Sequence, residues 1–352
     1  MIKERLDFRK THGIQRQLRE TKPLIDLTSN DYFGFAQFPK HTTCYPLGGS
    51  TGSRLLTGNH PYHTLLEDEL ATFHKAKSAL LFTSGYTANL GLISALGAPR
   101  THFLYDQECH ASTRDGITLS KSKSTSFRHN DLDHLEALLK NTSGNVYVLV
   151  ESLYSISGTI APLYELSTLS RHHGTHPIVD EAHATGIFGS KGEGLVAELQ
   201  LENSVFARVC TFSKALGAHG ACVLSNKELK EYLINFSRPF IYTTSAPELL
   251  VHHIRLAYKR LEIEASEHKK VLRSLFLYFE SLFEIKMKSP IYPFVLGSAK
   301  AVQEASLMLQ MHGIDVRPIV FPTTAKGKES LRIVLHSFNT LEQIDLLAKV
   351  LL

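Results

Sequence analysis

Pro177-Ile178-Val179-Asp180-Glu181-Ala182-His183 is a short apolar run that ends on an acidic residue. β-Branched residues bounded by polar ones predict a strand covered on both faces. The same pattern recurs along the chain. Ala79-Leu80-Leu81-Phe82 ends at Thr83-Ser84-Gly85, and Asn145-Val146-Tyr147-Val148-Leu149-Val150 ends at Glu151-Ser152. Ala221-Cys222-Val223-Leu224 ends at Ser225-Asn226. All four runs are expected to be buried parallel strands. Amphipathic stretches at 132–140 and 163–171 lie between them. This alternation predicts an α/β fold with a mostly parallel central sheet and chemistry at the carboxyl ends of its strands. Ser84, Ser152, Asp180 and Lys214 all lie at or just past such ends.

The pattern changes after Pro247. Residues 248 to about 283 read as mostly helical, without a glycine or proline. Apolar runs at 292–296, 316–320 and 331–335 follow, with helical patterns at 299–311 and from Leu341. They predict a smaller α+β domain. The expected division is an N-terminal segment, 1–45, packing with the small domain, then a large domain, 46–250, and a C-terminal small domain, 251–352.

Composition narrows the class. A net charge of +4 over 352 residues, with no basic tract, argues against a nucleic-acid surface. Cys44, Cys109, Cys210 and Cys222 show no C-x-x-C spacing, so free thiols are expected and a metal site is not. The charged start, Met1-Ile2-Lys3-Glu4-Arg5, lacks the apolar stretch of a signal peptide. No apolar run approaches membrane-spanning length. A cytoplasmic protein without membrane partners is expected.

Thr211-Phe212-Ser213-Lys214-Ala215-Leu216-Gly217 sets a lysine among small and hydroxylic residues, after the apolar residues Val205, Phe206, Ala207 and Val209. Such surroundings suit an amine that must be held still. Asp180, at the end of an earlier strand, suits a pyridinium nitrogen. A Schiff-base lysine and a ring-pairing aspartate are the two anchors of a pyridoxal phosphate site. Thr83-Ser84-Gly85-Tyr86-Thr87-Ala88-Asn89 reads as a strand–glycine–helix turn. Its free N–H groups suit a phosphate, and Thr211 is placed to bond a phosphate oxygen. His110, in a loop after Phe103-Leu104-Tyr105-Asp106, can stack on a flat ring, although a solvated loop histidine is the ordinary alternative. Asp180-Glu181-Ala182-His183 also reads as a helicase box. That reading needs a phosphate loop, and no Gly-Lys-Ser or Gly-Lys-Thr occurs. A helix-capping role for Asp180, a metal site with His183 and a surface charge at Lys214 are the remaining alternatives. Gly48-Gly49-Ser50-Thr51-Gly52-Ser53-Arg54 matches neither nucleotide-binding glycine pattern.

Taken in order, these motifs resemble the α-oxoamine synthase family of fold-type I pyridoxal phosphate enzymes. The resemblance runs from about Arg16 to Leu352. Further matching blocks are Ser29-Asn30-Asp31-Tyr32-Phe33-Gly34, Gly52-Ser53-Arg54-Leu55-Leu56-Thr57-Gly58, His110-Ala111-Ser112 and Phe240-Ile241-Tyr242-Thr243-Thr244-Ser245. The resemblance implies roles. Lys214 would hold the cofactor covalently and move the α-proton. Asp180 would pair with the ring nitrogen, His110 would stack on the ring, and His183 and Ser155 would lie near its phenolic oxygen. Gly85, Tyr86 and Thr211 would hold the phosphate, helped by Thr243 or Thr244 of the partner subunit in a homodimer. Asn30 and Arg332 would hold the amino-acid carboxylate, and Thr323 and Arg16 would meet substrate. The implied reaction is a decarboxylative condensation of L-alanine with pimeloyl-CoA or a pimeloyl carrier protein, in biotin synthesis. A glycine-using relative and a non-catalytic partner subunit are the alternatives. The family commonly has an aspartate where this chain has Ser157, in Ser155-Ile156-Ser157-Gly158, and the stretch from Phe35 to Leu47 is trimmed. Both departures leave the acyl-chain length open.

Overall fold

A computed structural model describes Asp7, Lys10, Thr11, residues 24–35 and residues 49–352. Its first strands are Ile25–Asp26 (β1), Ser78–Phe82 (β2), Thr101–Asp106 (β3), Lys123–Phe127 (β4), Asn145–Glu151 (β5) and His176–Asp180 (β6). The later ones are Ala207–Thr211 (β7), Ala221–Ser225 (β8), Ile291–Val295 (β9), Ile314–Asp315 (β10), Arg317–Ile319 (β11) and Ser330–Val334 (β12). The described residues fall into two compact units. One spans 34–154 and 159–267. The other takes 155–158, 268–352 and the described residues up to Phe33. Among the described residues, no helix is long and apolar enough to cross a membrane.

The first unit is built on a seven-stranded sheet of order β2-β8-β7-β6-β5-β3-β4. Six strands point the same way, so β2, β3, β5, β6 and β7 bring Phe82, Asp106, Glu151, Asp180 and Thr211 to one edge. Both faces are covered. Along β5, Tyr147 and Leu149 join one apolar cluster with Phe103, Val209 and Phe240, while Val146, Val148 and Val150 join another with Phe127, Leu163 and Val179. That alternation is the period-two geometry of a strand buried on both sides.

One expectation needs correction. β8, read as a parallel strand, runs antiparallel to both β2 and β7. Burial cannot report direction here, because every residue of β8 is buried either way. The connection decides it. Residues 212–220 form no helix, and a parallel crossover needs a dozen or more residues. The chain therefore turns straight back, and Lys214 lies inside that turn.

The second unit holds a three-stranded antiparallel sheet, β11-β12-β9, in which Arg332 pairs with Arg317 on one side and Pro293 on the other. β1 and β10 pair in parallel. Helices Ala299–Met311 and Leu341–Leu351 belong to this unit. Leu341–Leu351 opens with a capping box between Thr340 and Gln343. The helix Glu248–Phe283 runs without a break through residues counted with each unit.

Candidate active site

The carboxyl edge of the large sheet gathers half of the residues read from sequence: Lys214, His110, Asp180, His183, Gly85, Tyr86 and Thr211. Asp180 closes β6 and is buried. Its Oδ1 accepts the Ala182 backbone N–H at 2.9 Å, and its Oδ2 accepts Asn89 Nδ2 at 2.7 Å. The carboxylate is therefore fixed from two sides. Thr211 closes β7, and Lys214 Nζ donates to its hydroxyl at 3.4 Å. The turn that carries the lysine is laced by its own backbone. Phe212 N–H donates to Gly220 O at 3.0 Å, Ala218 N–H to Phe212 O at 2.8 Å and Gly217 N–H to Lys214 O at 2.9 Å. Gly217 has φ +59°, a conformation that favours glycine. The lysine stem is thus anchored while Nζ lies beside Thr211.

A helix start suited to an anion lies where β2 gives way to the helix Gly85–Ala95. Ser84 caps this helix, its Oγ accepting the Thr87 N–H at 3.1 Å while Thr87 Oγ1 accepts the Ser84 N–H at 3.0 Å. The box consumes Thr87 and leaves the Gly85 and Tyr86 N–H groups at the helix start without intrahelical acceptors. A Cβ on Gly85 would come within 2.5 Å of Thr211 Cγ2. Only glycine lets the helix start and Thr211 close on the same small space. The free N–H groups of a helix start, with Thr211 packed against Gly85 and Lys214 Nζ on the Thr211 hydroxyl, make a donor set suited to a phosphate dianion.

His110 caps the helix Ala111–Ser120, its Nδ1 accepting from the Ser112 backbone N–H at 3.2 Å and lying 2.7 Å from Ser112 Oγ. Tyr86 meets the His110 ring edge-on at a centroid distance of 6.3 Å, and its hydroxyl donates to Asp115. That bond pushes the Tyr86 phenol up from its ordinary range. His183 is buried in the turn after Asp180. Glu181, the second letter of the helicase-like string, is structural. It is fully buried, accepts the Val196 N–H at 2.9 Å and lies 3.5 Å from Arg208; burial raises its carboxyl despite that guanidinium.

Other residues fall elsewhere. Thr243 and Thr244 line a small open pocket of about 30 Å³ with Arg54, Phe82, His219 and Phe240, and none of Lys214, Asp180, His110 or Thr211 lines it. Asn30, Ser155, Thr323 and Arg332 belong to the smaller unit. There Arg332, almost buried on β12, donates through Nη2 to Asn30 Oδ1 at 2.9 Å and through Nε to Ser155 O at 2.6 Å. Burial is the largest influence on this guanidinium and lowers its pKa. Thr323 is exposed in a turn closed on Val320 O. Arg16 lies outside the described residues.

Sequence reading assigned no role to Asn89 or Ser112, both buried between His110 and Asp180. A signal existed. Asn89 lies one turn beyond Gly85 on a helix whose neighbouring positions, Ala88, Leu92 and Ile93, are apolar core, and a buried amide must find partners.

A doubly wound sheet, a lysine on the turn after β7, a clamped aspartate at the end of the adjacent β6 and a glycine-opened helix start fit a fold-type I pyridoxal-phosphate-dependent transferase. The residues present fit that cofactor at each of its charged ends. Residues 22–351 match the family described as aminotransferase class I and II, and the chain belongs to that family. An 8-amino-7-oxononanoate synthase of Emericella nidulans is 38% identical over an alignment that covers 91% of this chain and 87% of the relative. The structure of SPT, serine palmitoyltransferase, with PLP as internal aldimine superposes with a TM-score of 0.89 at 27% identity, covering 99% of this chain and 95% of that one. The crystal structure of 8-amino-7-oxononanoate synthase from Francisella tularensis superposes with a TM-score of 0.81 at 29% identity, covering 93% and 96%.

Proposed function

We propose that this enzyme is an acyltransferase that joins L-alanine to pimeloyl-CoA, or to a pimeloyl carrier protein. The products are 8-amino-7-oxononanoate, CO2 and the free thiol, in cytoplasmic biotin synthesis. The observation that carries the reading is the near full-length likeness, at 38% identity, to an enzyme of that name, on a chain whose lysine, aspartate and phosphate seat fit the cofactor. Bound pyridoxal phosphate supplies an electron sink for the carbanion at the alanine Cα.

The chain's own groups do the rest. Lys214 Nζ would hold the cofactor, then take the α-proton and later return one. Asp180, immobilised by Asn89 and Ala182, would pair with the ring nitrogen. His110 would stack on the ring, and His183 and Ser155 would lie near its phenolic oxygen. Gly85, Tyr86 and Thr211 would bind phosphate, with Thr243 or Thr244 of the partner subunit in a homodimer. Asn30 and Arg332 would hold the amino-acid carboxylate, and Thr323 and Arg16 would meet substrate. The new C–C bond joins the alanine Cα to the thioester carbonyl carbon as the C–S bond breaks. The Cα–carboxylate bond then breaks and releases CO2.

The SPT likeness, with the higher TM-score, makes L-serine with a longer acyl thioester the second reading. A panel of alanine, glycine and serine against acyl-CoA and acyl-carrier thioesters, followed by free-thiol release, separates them. Alanine with a pimeloyl donor is expected to turn over fastest. Turnover with glycine or serine but not alanine would reject the proposal.

A further inference from the structure

We propose that Asn89 is a positioning residue that ties Asp180 and His110 into one hydrogen-bonded unit, so that the two groups flanking the cofactor are set together. The proposal rests on the pyridoxal phosphate reading of the site. Asn89 Nδ2 donates one hydrogen to Asp180 Oδ2 at 2.7 Å and the other to Ser112 Oγ at 3.1 Å. Ser112 Oγ is thereby an acceptor, and its own hydrogen goes to His110 Nδ1 at 2.7 Å. That nitrogen also accepts the Ser112 backbone N–H at 3.2 Å. A nitrogen facing two donors carries no hydrogen, so the neutral ring bears it on Nε2. The direction of the chain is set at its charged end. Reversing the Asn89 amide would turn its oxygen onto the Asp180 carboxylate, which already takes the Ala182 N–H on its other oxygen. Asn89 and Ser112 are 3% and 0% exposed, so water does not substitute for either partner.

The unit explains why a helix that seats phosphate at Gly85 carries an amide one turn later. It converts the charge of Asp180 into a fixed orientation of a histidine it does not touch. Two measurements test this. In the cofactor-free protein, the 15N resonance of His110 Nδ1, assigned with His110→Gln, reports its hydrogen bonds. It is expected to move in Asn89→Ala, although Asn89 does not contact His110, and in the same direction as in Ser112→Ala. The second measurement is the dissociation constant for pyridoxal phosphate, by fluorescence titration. Asn89→Ala is expected to bind about tenfold to a hundredfold more weakly, the range for a lost bond to a charged group. Ser112→Ala should lose less, and the double variant should match Asn89→Ala within about twofold. An unmoved Nδ1 resonance in Asn89→Ala, or additive losses in the double variant, would overturn the proposal. Should Asn89→Ala not fold, Asn89→Ser carries the same comparisons. A wild-type protein that binds no pyridoxal phosphate refutes the cofactor reading instead, and the resonance still decides the hydrogen-bonded unit.

Discussion

Gly85→Ala is the substitution whose cost can be worked most directly from the geometry. The added Cβ would lie 2.5 Å from Thr211 Cγ2, closer than carbon atoms approach one another, and 3.7 Å from Thr211 Cβ. Thr211 cannot simply swing away. It is buried at the end of β7, and its hydroxyl donates to Ala182 O at 3.3 Å and accepts Lys214 Nζ at 3.4 Å. Rotating it trades the clash for two lost contacts. Overpacking of this kind costs about 1–3 kcal/mol, against a gain of up to about 1 kcal/mol from replacing a helical glycine by alanine. Against the full gain the upper end of this cost leaves a net loss of about 2 kcal/mol, which lowers Tm by about 4–8 °C for a unit of this size. Pyridoxal phosphate binding should weaken too, since the displaced hydroxyl and amine belong to its proposed seat. Thermal unfolding of the cofactor-free protein and a cofactor titration read the two effects separately. The offending atom is one methyl, so adding Thr211→Ser, which deletes Cγ2 and keeps the hydroxyl, should restore most of the lost stability. A Gly85→Ala protein that melts at or above the parent temperature, or one that Thr211→Ser fails to rescue, would refute the argument.

Removing Lys214 as Lys214→Ala should abolish covalent cofactor retention on dialysis and lower turnover by at least about a hundredfold, the lower bound for a lost proton-transfer group; retention and rate unchanged would sink its assignment. Arg332→Lys keeps the charge but loses the fork that reaches Asn30 and Ser155, so KM for the amino acid should rise about tenfold or more with a smaller change in kcat; initial-rate kinetics check the split. His74 is held neutral by burial, with Arg208 adding to the effect, and its pKa falls to about 3, while Nδ1 lies 2.8 Å from Glu193 O and Nε2 lies 2.9 Å from the Tyr258 hydroxyl. The unfolded chain then takes the proton first, so this contribution is complete above about pH 6.5 and is lost as pH falls toward 3. Urea midpoints at pH 7 and 5 should differ less in His74→Gln than in the parent; an equal difference would remove His74 from the acid response.

How far the site could be read beforehand follows from what each residue's signal depends on. The placing of Asp180 and Lys214 at and just past strand ends was legible because that information is local: a buried run ends, and a polar group follows. Gly85 was legible for the same reason. The direction of β8 was not, because a strand buried on both faces looks alike in either sense, and only the short connection 212–220 turns it back. Asn89 was hidden because its partners, Ser112 at the start of the helix Ala111–Ser120 and Asp180 at the end of β6, are 23 and 91 residues away. Arg332 meets Asn30 across 302 residues of chain, a distance at which resemblance to a family can name a pair but spacing cannot.

By itself, then, the sequence determined the doubly covered α/β sheet, the strand ends and the lysine and aspartate that follow them, from which pyridoxal phosphate was read. Those features follow from side-chain periodicity and from turn residues, which act over a few positions. Tertiary structure alone decided that Lys214 lies in a reversing turn beside Thr211, that Thr211 demands glycine at position 85, and that one amide holds Asp180 while reaching toward His110. These depend on which strand ends become neighbours, and that order is settled only when the sheet closes its hydrogen bonds and both faces are packed.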